Sequence, residues 1–284
     1  MRPAIVPQCY SSCVSAITSR QNPIVARFRA AARHETGGHL LLDGAHLVAE
    51  ALGSGMRVLE AAVVNIESNH TEVAALTDRL RRLEVPVATV SAMVMTALSP
   101  VRSSSPIVAI AERPDADPAL MYGGTPLVVI ALDVQDPGNL GAIVRVAEAG
   151  GASGVICAGA SADPFGWKAL RGSMGSSLRL PTLSEPDSDA AIDEARRRGC
   201  RIVAAAPRDG RLLFEADLRG PIAILIGSEG SGLTPSQLDS ADERVVIPMA
   251  APVESLNVAV SAGVLLYEAR RQRTRPATIS ATSG

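Results

Sequence analysis

The residues equipped for chemistry gather in the second half of the chain, on stretches that follow apolar runs. They are Asp133, Asp136, Asn139, Arg145, Arg171, Ser173, Glu229, Ser255 and Asn257. Amides, carboxylates and guanidinium groups of this kind bind and orient a ligand, and none of them is an evident nucleophile. The four histidines, His34, His39, His46 and His70, all lie in the first half. The second half therefore has no histidine of its own for a Ser-His-Asp triad or for general base catalysis. Group transfer, with a bound cofactor carrying the reactive atom, suits such an inventory best.

Three elements must position these groups. Val245–Ile247 is expected as a short strand ended by Pro248, followed by an irregular Met249–Glu254. Ser255 is a suitable N-cap, because its hydroxyl can accept from free amides of the next turn. The helix expected from Leu256 onward is apolar on nearly every face, so it should be buried all round or shared with a partner subunit. Asn257 sits in its first turn. The second element is the apolar strand Ile222–Ile226, which runs into Gly227-Ser228-Glu229-Gly230-Ser231-Gly232-Leu233. That glycine spacing matches neither the dinucleotide fingerprint nor the phosphate-binding P-loop. The third is the strand Leu127–Leu132, with the turn Asp136-Pro137-Gly138 and a helix from Asn139 to Ala149. Loops at the carboxyl ends of such strands are where open α/β sheets hold ligands.

The chain has 284 residues, enough for two domains. It is 47% hydrophobic but only 2% aromatic, so its cores must be built from Ala, Val, Leu and Ile. A formal net charge of −2 does not advertise nucleic-acid binding. The cations are nonetheless almost all arginine, with Lys168 the only lysine. Arginine suits bidentate phosphate contact, although genome composition also accounts for its bulk usage. Cys9 and Cys13 lack a second pair or a neighbouring histidine, so no metal site is expected, and Cys157 reads as core. With no leader-like segment and no long apolar run, the expectation is a cytoplasmic protein without a membrane partner.

Residues 1–16 read as a flexible tail. Residues 17–113 read as a small α/β domain of alternating strands and helices. Residues 114–125 form a Pro/Gly linker, 126–273 a second α/β domain, and 274–284 a disordered tail. The helix Asn22–Arg33 carries Arg27, Arg29 and Arg33 on its polar side, with Arg20 just before it. These arginines, together with Arg171, are candidate phosphate contacts, and a plain solvated face is the competing reading.

The second half resembles the SpoU/TrmH family of SPOUT-class RNA ribose methyltransferases. Asp136-Pro137-x-Asn139-x-Gly141-x-x-x-Arg145 is similar to that family's first motif. Gly227-x-Glu229-x-x-Gly232-Leu233 is similar to the second. Ile247-Pro248-Met249 with Val253-x-Ser255-Leu256-Asn257-Val258-x-Val260-Ser261 is similar to the third. Arg171-x-Ser173-Met174-Gly175 matches a subsidiary segment. Ser19-x-x-Asn22-Pro23 and Leu42-x-Gly44 give a weaker likeness to the family's ribosomal-protein-like substrate-binding domain. The resemblance implies a trefoil-knotted α/β domain, an exception to unthreaded connections, and a homodimer through the carboxy-terminal domain. It implies S-adenosylmethionine as cofactor, held by Gly227, Ser228, Ile247, Met249, Leu256 and Val258. The implied reaction is methylation of a ribose 2′-hydroxyl, with Asn139, Arg145, Glu229, Ser255 and Asn257 as the catalytic set.

In the family Arg145 would be the base. A guanidinium is essentially always protonated, so we read it instead as gripping a phosphate and stabilising the developing alkoxide while Asn139 orients the hydroxyl. For Glu229, anchoring the loop or Asn139 is preferred to direct catalysis. The amino-terminal likeness implies RNA as partner, ribosomal RNA ahead of transfer RNA. A catalytically idle RNA-binding paralogue and a nicotinamide enzyme are the alternatives.

Overall fold

The computed structural model of the protein describes residues 16–35, 37–64, 71–101, 103–115 and 117–274. Cys9, Cys13, His70, residues 1–15 of the expected amino-terminal tail and everything after Thr274 lie outside the described residues.

The first sheet is built from β1 (His39–Asp43), β2 (Val58–Val64), β3 (Val87–Val90) and β4 (Ile107–Glu112), in the order β1-β4-β2-β3. β4 runs antiparallel to β1 and β2, whereas β3 is parallel to β2. Side chains alternate across a strand, and two separate cores follow. Leu41 faces the helices α1 (Pro23–Ala32) and α4 (Ala92–Leu98), packing with Phe28 and Met95. Leu40 and Leu42 face α2 (Ala45–Gly53) and α3 (Thr71–Arg82), packing with Val48 and Leu80.

The stretch expected as a linker contains a helical turn, α5 (Pro118–Met121), capped by Asp117. Met121 is fully buried, and a Cβ at Gly154 would lie 2.5 Å from its Cγ. A buried side chain with fixed neighbours makes this segment part of the fold, which the Pro/Gly content concealed.

The second sheet holds β5 (Leu127–Leu132), β6 (Gly154–Ala158), β7 (Thr182–Glu185), β8 (Arg201–Ala205), β9 (Arg211–Leu212), β10 (Ile222–Ile226) and β11 (Glu243–Val246). All pairings are parallel, in the order β7-β6-β5-β10-β8-β11-β9. β5, β6 and β10 are buried at every position, as strands covered on both faces must be. From β5 the chain first builds outward to β7. It then fills the other side, and β10 enters beside β5. That reversal opens a crevice at the carboxyl ends of the strands. The helices are α6 (Pro137–Gly150), α7 (Trp167–Ser173), α8 (Ser188–Arg197), α9 (Pro235–Asp239) and α10 (Val258–Thr274).

α6 and α7 approach closely because of glycines on both helices, Gly141 and Gly172. A Cβ at Gly141 would lie 2.3 Å from the Ala169 carbonyl oxygen. α7 and the turn after it also reach the first sheet. Phe165, Leu170 and Leu178 are buried in the same cluster as Leu40 and Val48, and full burial of one such side chain contributes about 2 kcal/mol. Arg113 lies over the Phe165 ring, 4.4 Å from its centroid, and pairs with Asp163 at 3.1 Å. Arg179 bridges Glu50 of α2 and Glu148 of α6.

α10 is buried along Ala262, Leu265, Leu266 and Ala269, but Val260 and Tyr267 are about half exposed. The helix is therefore covered on one side of this chain and open on the other. Among the described residues no helix is long and apolar enough to cross a membrane.

Candidate active site

Three loops meet at the carboxyl ends of the strands. After β5, Asp136 caps α6, its carboxylate accepting from the Asn139 amide at 2.8 Å. Pro137 occupies the first helical position, where a missing N–H costs nothing. After β10, the glycine loop closes on itself: Ser228 and Gly232 exchange backbone hydrogen bonds of 3.2 Å. Gly227 is required there, because a Cβ would lie 2.2 Å from the Gly232 carbonyl carbon. After β11, residues 247–257 run without regular structure to α10.

The sequence suggested Ser255 as the cap of the last helix. Asn257 performs that role instead, its Oδ1 accepting from the amides of Ala259 at 2.9 Å and Val260 at 3.4 Å. The helix consequently starts at Val258, and Ser255 is left to line the cleft.

A cleft between the second and third of these loops is walled by Ile226, Gly227, Ser228, Val245, Ile247, Met249, Leu256 and Val258, with Glu229, Glu254, Ser255 and Ser261 as polar groups; Asn139 and Asn257 are not among its lining residues. All six residues expected around a cofactor line it. Ala205, Ala206 and Pro207, at the end of β8, line it too. They were not anticipated, although the carboxyl end of a parallel strand is a signal that could have found them. The walls are largely apolar, and no lysine or arginine is among the lining residues.

A chain of side chains ties the three loops together. Asn139 Nδ2 donates to Glu229 Oε1 at 3.1 Å, and Asn257 Nδ2 donates to Asn139 Oδ1 at 3.0 Å. Glu229 Oε1 also accepts from the Asp136 amide at 3.3 Å. Each orientation follows from the one before. An ionised carboxylate only accepts, so Asn139 must turn its NH2 toward Glu229 and its oxygen toward Asn257. Asn257 then points its own oxygen at the α10 amides.

Arg145 is not part of this cleft. It lies further along α6, exposed, with no ion pair or hydrogen bond to any described residue. It lines a second groove with His46, Glu50, Glu148, Met174 and Arg179, where the first sheet's α2 faces α6. Arg171 is also exposed, on α7.

The amino-terminal arginines are partly engaged. Arg27 makes a two-pronged ion pair with Glu60 at 2.6 and 2.9 Å. The Arg29 Nε donates to the Ala97 carbonyl, and Arg33 lies 3.4 Å from Glu35. Arg20 makes only a 3.4 Å contact with the Met93 carbonyl. Arg27 is thus committed within the protein more firmly than its neighbours. Among the described residues no group of histidine, cysteine, aspartate or glutamate is arranged to hold a metal ion.

An open parallel sheet with a cleft at the carboxyl ends of its strands is the architecture in which α/β proteins hold a ligand. Residues 126–267 match the SpoU rRNA Methylase family, and the chain belongs to that family. An uncharacterized tRNA/rRNA methyltransferase of Synechocystis is 34% identical over 94% of this chain and 98% of its own length. The 23S rRNA (guanosine(2553)-2′-O)-methyltransferase RlmP of Bacillus subtilis is 30% identical, covering 81% of this chain and 88% of its own. The crystal structure of the SpoU methyltransferase AviRb from Streptomyces viridochromogenes, in complex with the cofactor AdoMet, superposes with a TM-score of 0.80. It is 29% identical and covers 89% of this chain and 98% of its own.

Proposed function

We propose that this protein transfers a methyl group from S-adenosylmethionine to a ribose 2′-hydroxyl of RNA, with ribosomal RNA the foremost substrate. The observation that carries the reading is the Glu229–Asn139–Asn257 chain, which ties the two loops walling the cleft to the start of α6 in a member of this family.

The cleft's chemistry fits the cofactor. Apolar walls suit an adenosyl group, and the carboxylates of Glu229 and Glu254 without a lining cation favour a positively charged ligand. When bound, S-adenosylmethionine supplies an electrophilic methyl group on a sulfonium, so the protein needs no nucleophile of its own. Gly227, Ser228, Ile247, Met249, Leu256 and Val258 would hold it, largely through backbone groups and apolar contact. Asn139 and Asn257 orient the hydroxyl, Ser255 borders it, and Glu229 sets the Asn139 amide. Arg145 grips an RNA phosphate through its guanidinium fork and offsets charge developing on the oxygen.

Residues 17–113 serve as the RNA-binding part and 126–273 as the methyl-transfer part. A homodimer would cover the exposed apolar side of α10 at Val260 and Tyr267, together with Val253 and Leu256 of the loop before it. A trefoil knot is supported by the path after β11. The chain returns from near the far edge of the sheet to pack α10 on α6, with Gly150 against Leu266.

Tritiated methyl transfer to total RNA, followed by ribose-methylation mapping with and without the gene, tests the reading. A gene-dependent 2′-O-methyl group in ribosomal RNA supports it. A mark confined to transfer RNA reassigns the substrate, and no transfer at all leaves an idle RNA-binding paralogue.

A further inference from the structure

The groove beside Arg145 contains a histidine that the mechanism above does not use. His46 is the second residue of α2, on the first sheet's side, and its Nε2 lies 3.1 Å from the Met174 carbonyl oxygen. Met174 ends α7 with a left-handed φ of 50°, so its carbonyl is turned out of the helix. A carbonyl oxygen only accepts, so Nε2 must carry the proton. In the neutral ring, Nδ1 is then a bare acceptor whose tautomer and direction are fixed by the other nitrogen's bond.

The groove's charges are already sorted. Arg179 is held between Glu50 and Glu148, and Arg145 is left without a partner among the described residues. What the groove offers is an imidazole held through one ring nitrogen and one available guanidinium, in a space of about 590 Å³. That volume admits the sugar and phosphate of a nucleotide. A phosphate suits Arg145 but not the Nδ1 lone pair. A hydroxyl donor beside the phosphate suits both at once. In a nucleic-acid strand, that pairing exists only in RNA, where the 2′-hydroxyl is a donor next to the backbone.

We infer that His46 accepts a hydrogen bond from the 2′-hydroxyl of a ribose flanking the methylated one, while Arg145 holds the adjoining phosphate. His46 thereby makes the groove selective for RNA. The flanking position follows from the strand: the phosphate that Arg145 grips beside the methylated ribose also joins the next ribose, so the 2′-hydroxyl offered to His46 is the flanking one.

This inference rests on RNA being the substrate, and its test is a binding measurement. The full chain is titrated by fluorescence anisotropy into a random-sequence single-stranded RNA pool and into the same pool made of 2′-fluoro RNA. The fluoro sugar keeps the RNA-like pucker and cannot donate. Wild type should bind the RNA pool more tightly by roughly three- to tenfold. His46→Ala should lose that preference by weakening RNA binding alone, whereas Arg145→Ala should weaken both pools equally. Equal binding of the two pools by wild type overturns the inference without any variant. A His46→Ala protein that weakens on both pools alike, or on neither, overturns it as well. The two readings fail separately. RNA-selective binding through His46 without methyl transfer breaks the methyltransferase reading alone. Methyl transfer without 2′-hydroxyl preference breaks this inference alone.

Discussion

The Asn257 side chain bridges two helix starts. Its Nδ2 donates to Asn139 Oδ1 at 3.0 Å at the head of α6, while its Oδ1 caps α10. One amide thus does two jobs that substitution can separate, because only its nitrogen reaches Asn139 and only its oxygen holds the helix.

Asn257→Asp keeps the capping oxygen and adds a negative charge where helix amides favour it. It removes the donor to Asn139. The melting temperature should hold, while the turnover of methyl transfer falls by roughly a hundredfold, the scale of losing one orienting hydrogen-bond donor. Asn257→Ala loses the cap as well, worth about 1 kcal/mol, and should melt about 3 °C lower. Calorimetry beside a tritium-transfer assay separates the two variants. A fully active Asn257→Asp protein would remove Asn257 from the site.

Two motif glycines have different purposes. Gly141→Ala pushes a methyl group into the Ala169 carbonyl, between α6 and α7 and away from the cleft. Gly227→Ala pushes one into the backbone of the glycine loop that walls the cleft. Both substitutions should cost on the order of 3 kcal/mol, the upper range for forced overpacking. Only Gly227→Ala should also abolish cofactor binding in the fraction that remains folded. Isothermal titration with S-adenosylmethionine at low temperature distinguishes them, and equal affinity in the two variants would refute the division.

How far the sequence exposed all this depended on what each residue type signals locally. β5 and β10 were readable to the residue, because strands buried on both faces are unbroken apolar runs. β7 and β9 were missed, since their sequences Thr182–Glu185 and Arg211–Leu212 are short, polar and partly exposed. The six residues expected around a cofactor all line one cleft. The helix cap was misplaced by two residues because Ser and Asn are both good caps and neither sequence position excludes the other. His46 was assigned to the half without the motifs, and rightly. Its arrival beside Arg145 depends on α2 docking near α6, a tertiary contact that no periodicity encodes.

Tyr122 gives a prediction about stability. Its hydroxyl is buried without a hydrogen-bond partner among the described residues, and burial, ahead of nearby Cys200 and Glu194, pushes its pKa from 10.0 up to about 12. A phenol whose pKa is higher when folded ionises first in the unfolded chain. Its neutral form therefore favours the fold fully below pH 10.0, and that advantage is lost as pH climbs through about 12. Tyr122→Phe should remove this alkaline loss and, by deleting an unsatisfied hydroxyl, leave neutral-pH stability unchanged or slightly higher. Urea melts of both proteins across that pH range check the sign. A Phe variant that is clearly weaker at neutral pH would show that the hydroxyl has a partner.

Arg145 makes no contact that a structural role would need, so its substitution should reveal function directly. Arg145→Lys keeps the charge and the helix propensity but loses the planar fork. If the fork grips a phosphate and offsets charge on the departing proton's oxygen, kcat/KM toward RNA should fall by roughly ten- to a hundredfold, with part of the loss in kcat. S-adenosylmethionine affinity should be unchanged, because Arg145 does not line the cofactor cleft. The melting temperature should also be unchanged, because no described partner is lost. Steady-state methyl transfer against RNA concentration, with cofactor affinity measured separately, is the check. Full turnover in the lysine variant would reduce Arg145 to a simple positive charge. Weakened cofactor binding would place it at the cleft after all, through a partner subunit's copy.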